Sequence, residues 1–180
     1  FRMRPLVFVP TDLVGTSNRW DYSHFLRSFY HLSVDQITNQ SRKGVVFGAH
    51  GASHRDLTGC DSRALARELA DSRKLLQDWT GQPVDSISYP FGRVNERVCD
   101  AAREAGYGLG YTMDFPSVGD SRLTQGRIPV YAFDTPLSGS AKLGGGGLRR
   151  LELIKGRVVT RRSGGTVWLD PEIKSVYFAR

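Results

Sequence analysis

The sequence predicts an α/β fold built on a parallel sheet. Segments of strand and helix character alternate between residues 6 and 113 and are joined by short connections, which is the pattern of parallel strands with right-handed crossovers. The segments at residues 6–9 and 45–49 are apolar at nearly every position, as expected of strands that are buried on both faces. These two observations favour a sheet covered by helices over an all-helical or all-β chain.

Composition narrows the class of protein further. The chain has 180 residues, of which 39% are hydrophobic and 24% charged, typical of one globular domain with a substantial core. Its apolar runs are only a few residues long, too short to cross a membrane. The two cysteines, Cys60 and Cys99, are too few for a disulfide framework and identify no redox compartment.

Three helices are predicted from their caps. Ser33 and Gln36 form a capping-box pattern for a helix that should end at Gly44,. A second, longer helix should run from Asp61 or Ser62 to about residue 79, and a third from Asn95 to Gly106. The apolar side of the second helix is expected to consist mainly of Leu65, Leu69, Leu75 and Leu76,.

The intervening strands are short, and the pattern weakens after residue 113. Strands are predicted at residues 84–89, 109–113 and 127–133. Residues 135–155 could hold a helix, although the glycines at 144–147 would interrupt it,. The end of the chain is left without an assignment.

Residues with chemical potential follow three of the predicted strands. They are Thr11-Asp12 after the first strand, His50 and His54 after residues 45–49, and Tyr89-Pro90-Phe91-Gly92 after residues 84–89. The carboxyl ends of parallel strands meet at one edge, where binding sites of such folds lie. We therefore expect these residues to converge.

The two histidines are the strongest candidates for metal ligands. Neutral imidazole is the commonest protein ligand for zinc, and two histidines four residues apart can share an ion if the turn between them is tight. Gly51, Ala52 and Ser53 are small enough for that. The spacing alone is also compatible with one histidine bonded to a backbone carbonyl and the other solvated.

In order, these segments resemble the motifs of the polysaccharide deacetylase family, carbohydrate esterase family 4. Residues 47–57, FGAHGASHRDL, are similar to the family's metal motif G-x-H-[ST]-x-x-H-x-x-L, and residues 88–92, SYPFG, resemble its third motif. Residues 5–9 resemble the family's second strand, and residues 103–107 also match. The resemblance covers roughly residues 5–134.

The resemblance implies a distorted (β/α) barrel, here incomplete, and the metal-assisted removal of N-acetyl groups from an amino-sugar polysaccharide. It implies a divalent ion, zinc foremost, held by His50, His54 and an aspartate, with a second aspartate as general base. The Phe91 amide would be the oxyanion donor. Tyr89 and Pro90, together with Trp20 from an aromatic cluster at residues 20–30, would contact the glycan.

The sequence departs from the family pattern in four places. Gly51 stands where Ser or Thr is usual, and Ser88 where the third motif has an arginine that orients the base. We expect Arg127 to take over that arginine's role. No histidine follows His54, and no Asp-Asp pair occurs.

The missing Asp-Asp motif suggests an impaired metal site. That motif belongs to the strand before Pro5, and the chain does not begin with Met, so we expect a longer product whose first strand is missing here. Asp12 is a possible third ligand, although a loop-capping role is commoner for such a residue. Two histidines without a carboxylate should bind metal weakly. The alternative is a noncatalytic glycan-binding member of the same fold.

The positive charge is concentrated late in the chain. Residues 142–162 hold seven Lys or Arg and one acid, Glu152, against a net charge of +7 for the whole chain. This basic segment could contact an anionic surface such as phospholipid, or be only a solvated face; no motif indicates specific nucleic-acid binding. We expect a deacetylase-like domain at residues 1–134 and a basic extension at 135–180.

Overall fold

The computed structural model describes residues 4–18, 29–113, 122–128, 130, 134–144, 147–148, 150–152 and 154–155. By their contacts the residues divide into two compact units. The first is Phe1–Thr112 with Gly119–Gln125, and the second is Met113–Val118 with Gly126–Arg180. The functional division expected after residue 134 stays a prediction. None of the helices in the described ranges is both long and apolar enough to span a membrane.

The strands of the described residues are β1 (Leu6–Val9), β2 (Ser17–Asn18), β3 (Phe29–Tyr30), β4 (Val46–Ala49), β5 (Ser86–Ser88), β6 (Leu109–Thr112) and β7 (Gln125–Gly126). A five-stranded sheet in the order β1-β4-β5-β6-β7 forms the framework of the first unit, and β2 and β3 pair separately. The pairs β1–β4, β4–β5 and β5–β6 are all parallel, and Val9 pairs with Ala49, and Ala49 with Ile87. The predicted α/β class is therefore confirmed, and within the described residues the sheet is open, as in an incomplete barrel.

The helices begin and end at residues that satisfy their terminal backbone groups. They are α1 (Val34–Arg42), α2 (Ser62–Ala66), α3 (Ser72–Thr80), α4 (Glu96–Glu104) and α5 (Pro136–Leu143). Ser33 and Gln36 form the predicted capping box, with Gln36 N donating to Ser33 Oγ at 3.2 Å. Asp61 and Asn95 cap α2 and α4 as expected.

A π-helical segment, Arg67–Asp71, joins α2 to α3, and the sequence pattern did not predict it. Tyr107 Oη donates to Leu69 O at 2.9 Å, and Ser72 Oγ lies 2.6 Å from Glu68 O. The two hydroxyls bond carbonyls of this segment, where the regular i→i−4 bonding is interrupted. The carbonyls of Glu68 and Leu69 are thus bonded although both residues are buried.

One apolar core fills the first unit. It includes side chains from the sheet and from the helices, namely Val9, Ile37, Phe47, Ala49, Leu57, Leu65, Leu69, Leu76, Ile87, Tyr89, Val98, Ala102 and Tyr107. Leu75 was expected on the apolar side but is 37% exposed, whereas Leu76 is fully buried. Adjacent helical residues point about 100° apart, so only one of the two can face the core.

The predicted strand at residues 127–133 is wrong at the residues that can be checked. Arg127, Ile128 and Val130 are not part of a strand, and the strand nearby is β7, two residues earlier. Residues 129 and 131–133 lie outside the described residues. Apolar alternation did not identify this strand, because Gln125 and Gly126 carry no apolar pattern of their own.

The second unit contains α5, which ends at Gly144 as the glycine run suggested. A buried ion-pair network lies beside it. Asp134 pairs with both Lys142 and Lys155, and Lys155 also pairs with Glu152 at 3.0 Å. Two of the seven cations of the basic segment are therefore neutralised within the unit.

Candidate functional site

The carboxyl ends of β1, β4 and β5 lie side by side in the first unit. His50 follows β4, and its backbone N donates to Val9 O at 3.0 Å, while Asp12 N donates to Ala52 O at 2.9 Å. These bonds continue the β1–β4 pairing beyond the strands and fix the chain at residues 50–54, called the histidine loop below. The loop is thereby held against the end of β1.

The ring of His50 is oriented by the next strand. Its Nδ1 lies 2.6 Å from Ser88 O. A carbonyl oxygen only accepts hydrogen bonds, so Nδ1 carries a proton, and in the neutral form of the ring Nε2 carries the lone pair. A metal-binding histidine commonly donates its other ring N–H to a backbone carbonyl in this way.

His54 returns beside His50 through a strained backbone. The two ring centroids are 4.6 Å apart, with an interplanar angle of 69°. His54 has φ +61°, in the left-handed region that non-glycine residues seldom adopt,. Burial, with smaller contributions from His50 and His31, lowers the pKa of His54 to about 3, so this imidazole is neutral at neutral pH.

The third-motif turn faces the same pair of rings. Phe91, with φ +58°, also adopts the left-handed region, and its ring centroid lies 5.0 Å from that of His54. Left-handed backbone at a bulky residue costs free energy and tends to occur at functional sites. Both such residues in the described ranges, His54 and Phe91, meet at this one place.

Tyr89 and Pro90 are in the core rather than in contact with solvent. Tyr89 is 0% exposed and Pro90 is fully buried, and burial raises the pKa of the Tyr89 phenol. This burial argues against the predicted contacts between their side chains and the glycan.

Glu68 is a buried acid at this site that the sequence reasoning missed. Its Oε2 accepts from Ala52 N at 2.8 Å and Ser53 N at 2.9 Å, and its Oε1 accepts from Ser53 Oγ at 2.6 Å. A signal was present, because Glu68 shares the face of Leu65, Leu69 and Ser72 at helical spacing, where a lone acid needs buried partners.

The residues present fit two positions of a metal site. Two imidazoles brought together by one turn suit zinc or a similar ion, and Ser88 O, bonded to Nδ1 of His50, supplies the usual outer support,. The buried hydroxyls of Thr11 and Ser88, at the ends of β1 and β5, have no hydrogen-bond partner among the described residues, as expected where a bound group or water completes a site. In the described part of the chain, no third His, Cys, Asp or Glu joins the histidines to complete a ligand cluster.

The remaining predicted site residues are Asp12, Arg127 and Trp20. Asp12 pairs with Arg67, its Oδ2 lying 3.1 Å from Nη2. Arg127 belongs to the second unit, where its Nη2 lies 3.6 Å from Met113 Sδ, and its role stays a prediction. Trp20 falls within residues 19–28, which are outside the described residues.

Comparison with known proteins identifies one family. A family profile described as "Polysaccharide deacetylase" matches residues 3–110. A putative polysaccharide deacetylase of Bacillus subtilis, YxkH, is 34% identical over 85 residues, which are 47% of this chain and 30% of that protein. The chain therefore spans under a third of that relative's length.

Solved structures share the fold. Streptococcus pyogenes deacetylase PplD, determined in complex with acetate, matches with a TM-score of 0.62 and 24% identity over 74% of this chain and 56% of its own. The Bacillus cereus polysaccharide deacetylase BC0361 matches with a TM-score of 0.64 and 22% identity, over 80% and 43% respectively. At these identities the two structures support the fold class alone.

Proposed function

The chain belongs to the polysaccharide deacetylase family, and on that premise we propose that it forms part of a metal-dependent hydrolase. The hydrolase removes N-acetyl groups from an amino-sugar polysaccharide, and the amide C–N bond breaks to give acetate and a free amine. The observation that carries this proposal is the pair of imidazole rings, 4.6 Å apart, at the end of β4.

His50 and His54 are the proposed metal ligands, with Nε2 as the coordinating atom of His50 because its Nδ1 proton is held by Ser88 O. Zinc is the leading candidate ion, since imidazole ligands suit it. When bound, such an ion polarises the acetyl carbonyl and lowers the pKa of its water.

The backbone amide of Phe91 is proposed to donate a hydrogen bond to the oxygen of the reacting acetyl carbonyl. The backbone of the turn around Phe91 is fixed by Gly92 N donating to Tyr89 O at 2.9 Å and Arg93 N donating to Pro90 O at 3.2 Å. A rigid turn at this edge can present the Phe91 amide to the oxyanion without reorganisation, which is the main requirement for such a donor. Arg127 is proposed to orient the general base.

The family resemblance assigns the third ligand and the base to aspartates that have no counterpart in these 180 residues. Catalytic zinc sites usually have three protein ligands. We therefore propose that this chain alone binds the ion weakly and hydrolyses glycan poorly, and that a polypeptide supplying the aspartates does both well.

Zinc titration by calorimetry tests the metal site. The samples are this chain, its His50→Ala and His54→Ala variants and, where the reading frame extends further, the longer polypeptide. We expect this chain to bind zinc measurably. Each histidine variant should lower the zinc affinity by at least about tenfold, because it removes one of the two proposed ligands. Acetate release from N-acetylated glycans is measured on the same samples.

Gln40→Ala, an exposed change in α1, is the control and should leave zinc binding within about twofold, as expected of a surface substitution. Equal zinc affinity in the wild type and both histidine variants would contradict the metal assignment. Strong zinc binding without acetate release, in the longest polypeptide, would contradict the hydrolase.

A noncatalytic glycan-binding role is the second proposal. It is favoured by the absence, within the described residues, of a complete ligand cluster and by two exposed aromatic side chains on β3, Phe29 at 46% and Tyr30 at 73%. Aromatic faces can stack on sugar rings, and Trp20 was predicted to do so. Glycan retention that survives the histidine changes and is lost in Tyr30→Ala would favour this role.

A further inference from the structure

We propose that Glu68 is the positioning residue of the histidine loop, and that its carboxylate holds the middle of the loop so that the two imidazole rings lie next to each other. This inference rests on the proposed metal-binding function but concerns a residue outside the ligand set. Glu68 comes from the π-helical segment, 14 residues after His54 in the chain.

Glu68 contacts the two residues in the middle of the histidine loop, Ala52 and Ser53. One oxygen accepts from two consecutive backbone amides, Ala52 N and Ser53 N, and the other accepts from the hydroxyl of Ser53. Two successive N–H groups converging on one oxygen fix the local backbone direction. Because hydrogen bonds to a carboxylate are stronger than neutral ones, these bonds restrict the path from His50 to His54.

Gly51 is adapted to that carboxylate. It has φ +72°, and a Cβ added there would lie 3.0 Å from Glu68 Oε2 and 3.7 Å from Pro90 Cγ. A residue with a side chain would therefore be strained and would crowd the carboxylate. The Ser or Thr that the resembled motif has at this position is replaced by glycine, and Glu68 occupies the space next to it.

Glu68 itself is held in place and neutralised. Its side chain is 3% exposed, and Arg55 Nε lies 3.3 Å from Oε1 while also donating to Ser53 Oγ at 2.9 Å. Ser72 Oγ bonds the Glu68 carbonyl. A buried carboxylate with a charged partner and three donors is a rigid support rather than a strained one.

The test compares Glu68→Gln with the wild type in two measurements. The first, on metal-free protein, records long-range ¹H–¹⁵N correlations of the imidazoles and hydrogen exchange of the Ala52 and Ser53 amides. The second titrates Co²⁺ and follows the histidine signals. We expect altered signals of both rings, faster exchange at residues 52 and 53, and Co²⁺ affinity lower by about 10- to 100-fold, the range for lost outer-shell support.

Glu104→Gln removes the charge of an exposed acid on α4 and should change neither measurement. Thermal unfolding confirms that each variant is folded. A merely structural role would lower the melting temperature of Glu68→Gln while leaving the imidazole signals and the Co²⁺ affinity of the folded protein unchanged, and that result would overturn the inference.

If Glu68→Gln does not fold, Ser53→Ala decides instead, because it removes the 2.6 Å contact to Oε1, together with the bond from Arg55 Nε, and leaves the Glu68 carboxylate and both backbone amides in place. It should shift the His54 signals and weaken Co²⁺ binding, and unchanged signals would again overturn the inference. Should the wild type bind no Co²⁺ while Glu68→Gln still alters both rings, the proposed metal function fails and the positioning role of Glu68 stands.

Discussion

Each unit of the chain contains a buried carboxylate, and the two are satisfied in different ways. Glu68 in the first unit is 3% exposed and bonds two backbone amides and a hydroxyl of one loop. Asp134 in the second is 4% exposed and bonds the ammonium groups of Lys142 and Lys155. Two carboxylates with similar burial therefore differ in their partners, which are mainly backbone groups for Glu68 and lysine side chains for Asp134.

Backbone partners and side-chain partners have different consequences. A carboxylate bonded to consecutive amides fixes the φ and ψ angles of a loop, and in this protein that loop carries both candidate ligands. A carboxylate paired with lysines mainly cancels buried charge, since long flexible side chains constrain the backbone little. The bonds of Glu68 fix the backbone of the histidine loop, whereas the ion pairs of Asp134 offset the free-energy cost of burying charge.

The largest effect is expected from Asp134→Ala. It leaves the ammonium group of Lys142, whose side chain is 3% exposed, without its nearest carboxylate. Breaking a buried pair from one side costs about 3–5 kcal/mol of stability, which urea unfolding followed by the NMR signals of α5 would measure.

The double variant Asp134→Leu with Lys142→Met removes both charges and should recover most of that loss, because apolar replacement of a buried pair is often neutral. A cost below about 1 kcal/mol for Asp134→Ala would mean that this pair behaves as an exposed one, and the comparison with Glu68 would no longer hold.

A smaller loss is expected from Gly51→Ala. A left-handed conformation costs a non-glycine residue about 1–2 kcal/mol, and here the added Cβ also approaches Glu68. Gly81→Ala is the matched control, because Gly81 has φ +63° with open space around the added Cβ. In thermal unfolding, any loss of stability in Gly51→Ala beyond that in Gly81→Ala measures the crowding against Glu68. Equal losses of stability in the two variants would show that the added Cβ fits beside the carboxylate.

The smallest effect is expected from Asp12→Asn. Its ion pair with Arg67 has side chains 36% and 62% exposed, and such pairs contribute about 0–1 kcal/mol. Any zinc affinity should be unchanged, since the Asp12 carboxylate is already paired with Arg67. A marked loss of zinc binding would instead identify Asp12 as the third ligand.

Local signals in the sequence predicted much of the framework. The capping box of Ser33 and Gln36 and the cap at Asn95 depend on residues three apart, so the pattern contains all the partners. The meeting of His54 with Phe91 followed from parallel strand order, which places consecutive strand ends together,.

Features that depend on distant partners were missed. Glu68 is an acid in a charged stretch, RELADSRK. Its helical spacing places it on the face of Leu65 and Leu69, but its partners at residues 52 and 53 are visible only in the structure. The π-helical segment depends on Tyr107, 38 residues beyond Leu69. The burial of Tyr89 likewise reflects how β5 packs, which no motif states.

The left-handed residues His54 and Phe91 imply a trade-off between stability and activity. Glycine or asparagine would relax the backbone at either position, so a selection for heat resistance alone could favour such replacements. Each would remove a ring that lies at the candidate site. We expect thermostabilised descendants of this chain to lose the proposed metal binding at the carboxyl ends of β1, β4 and β5 before their fold deteriorates.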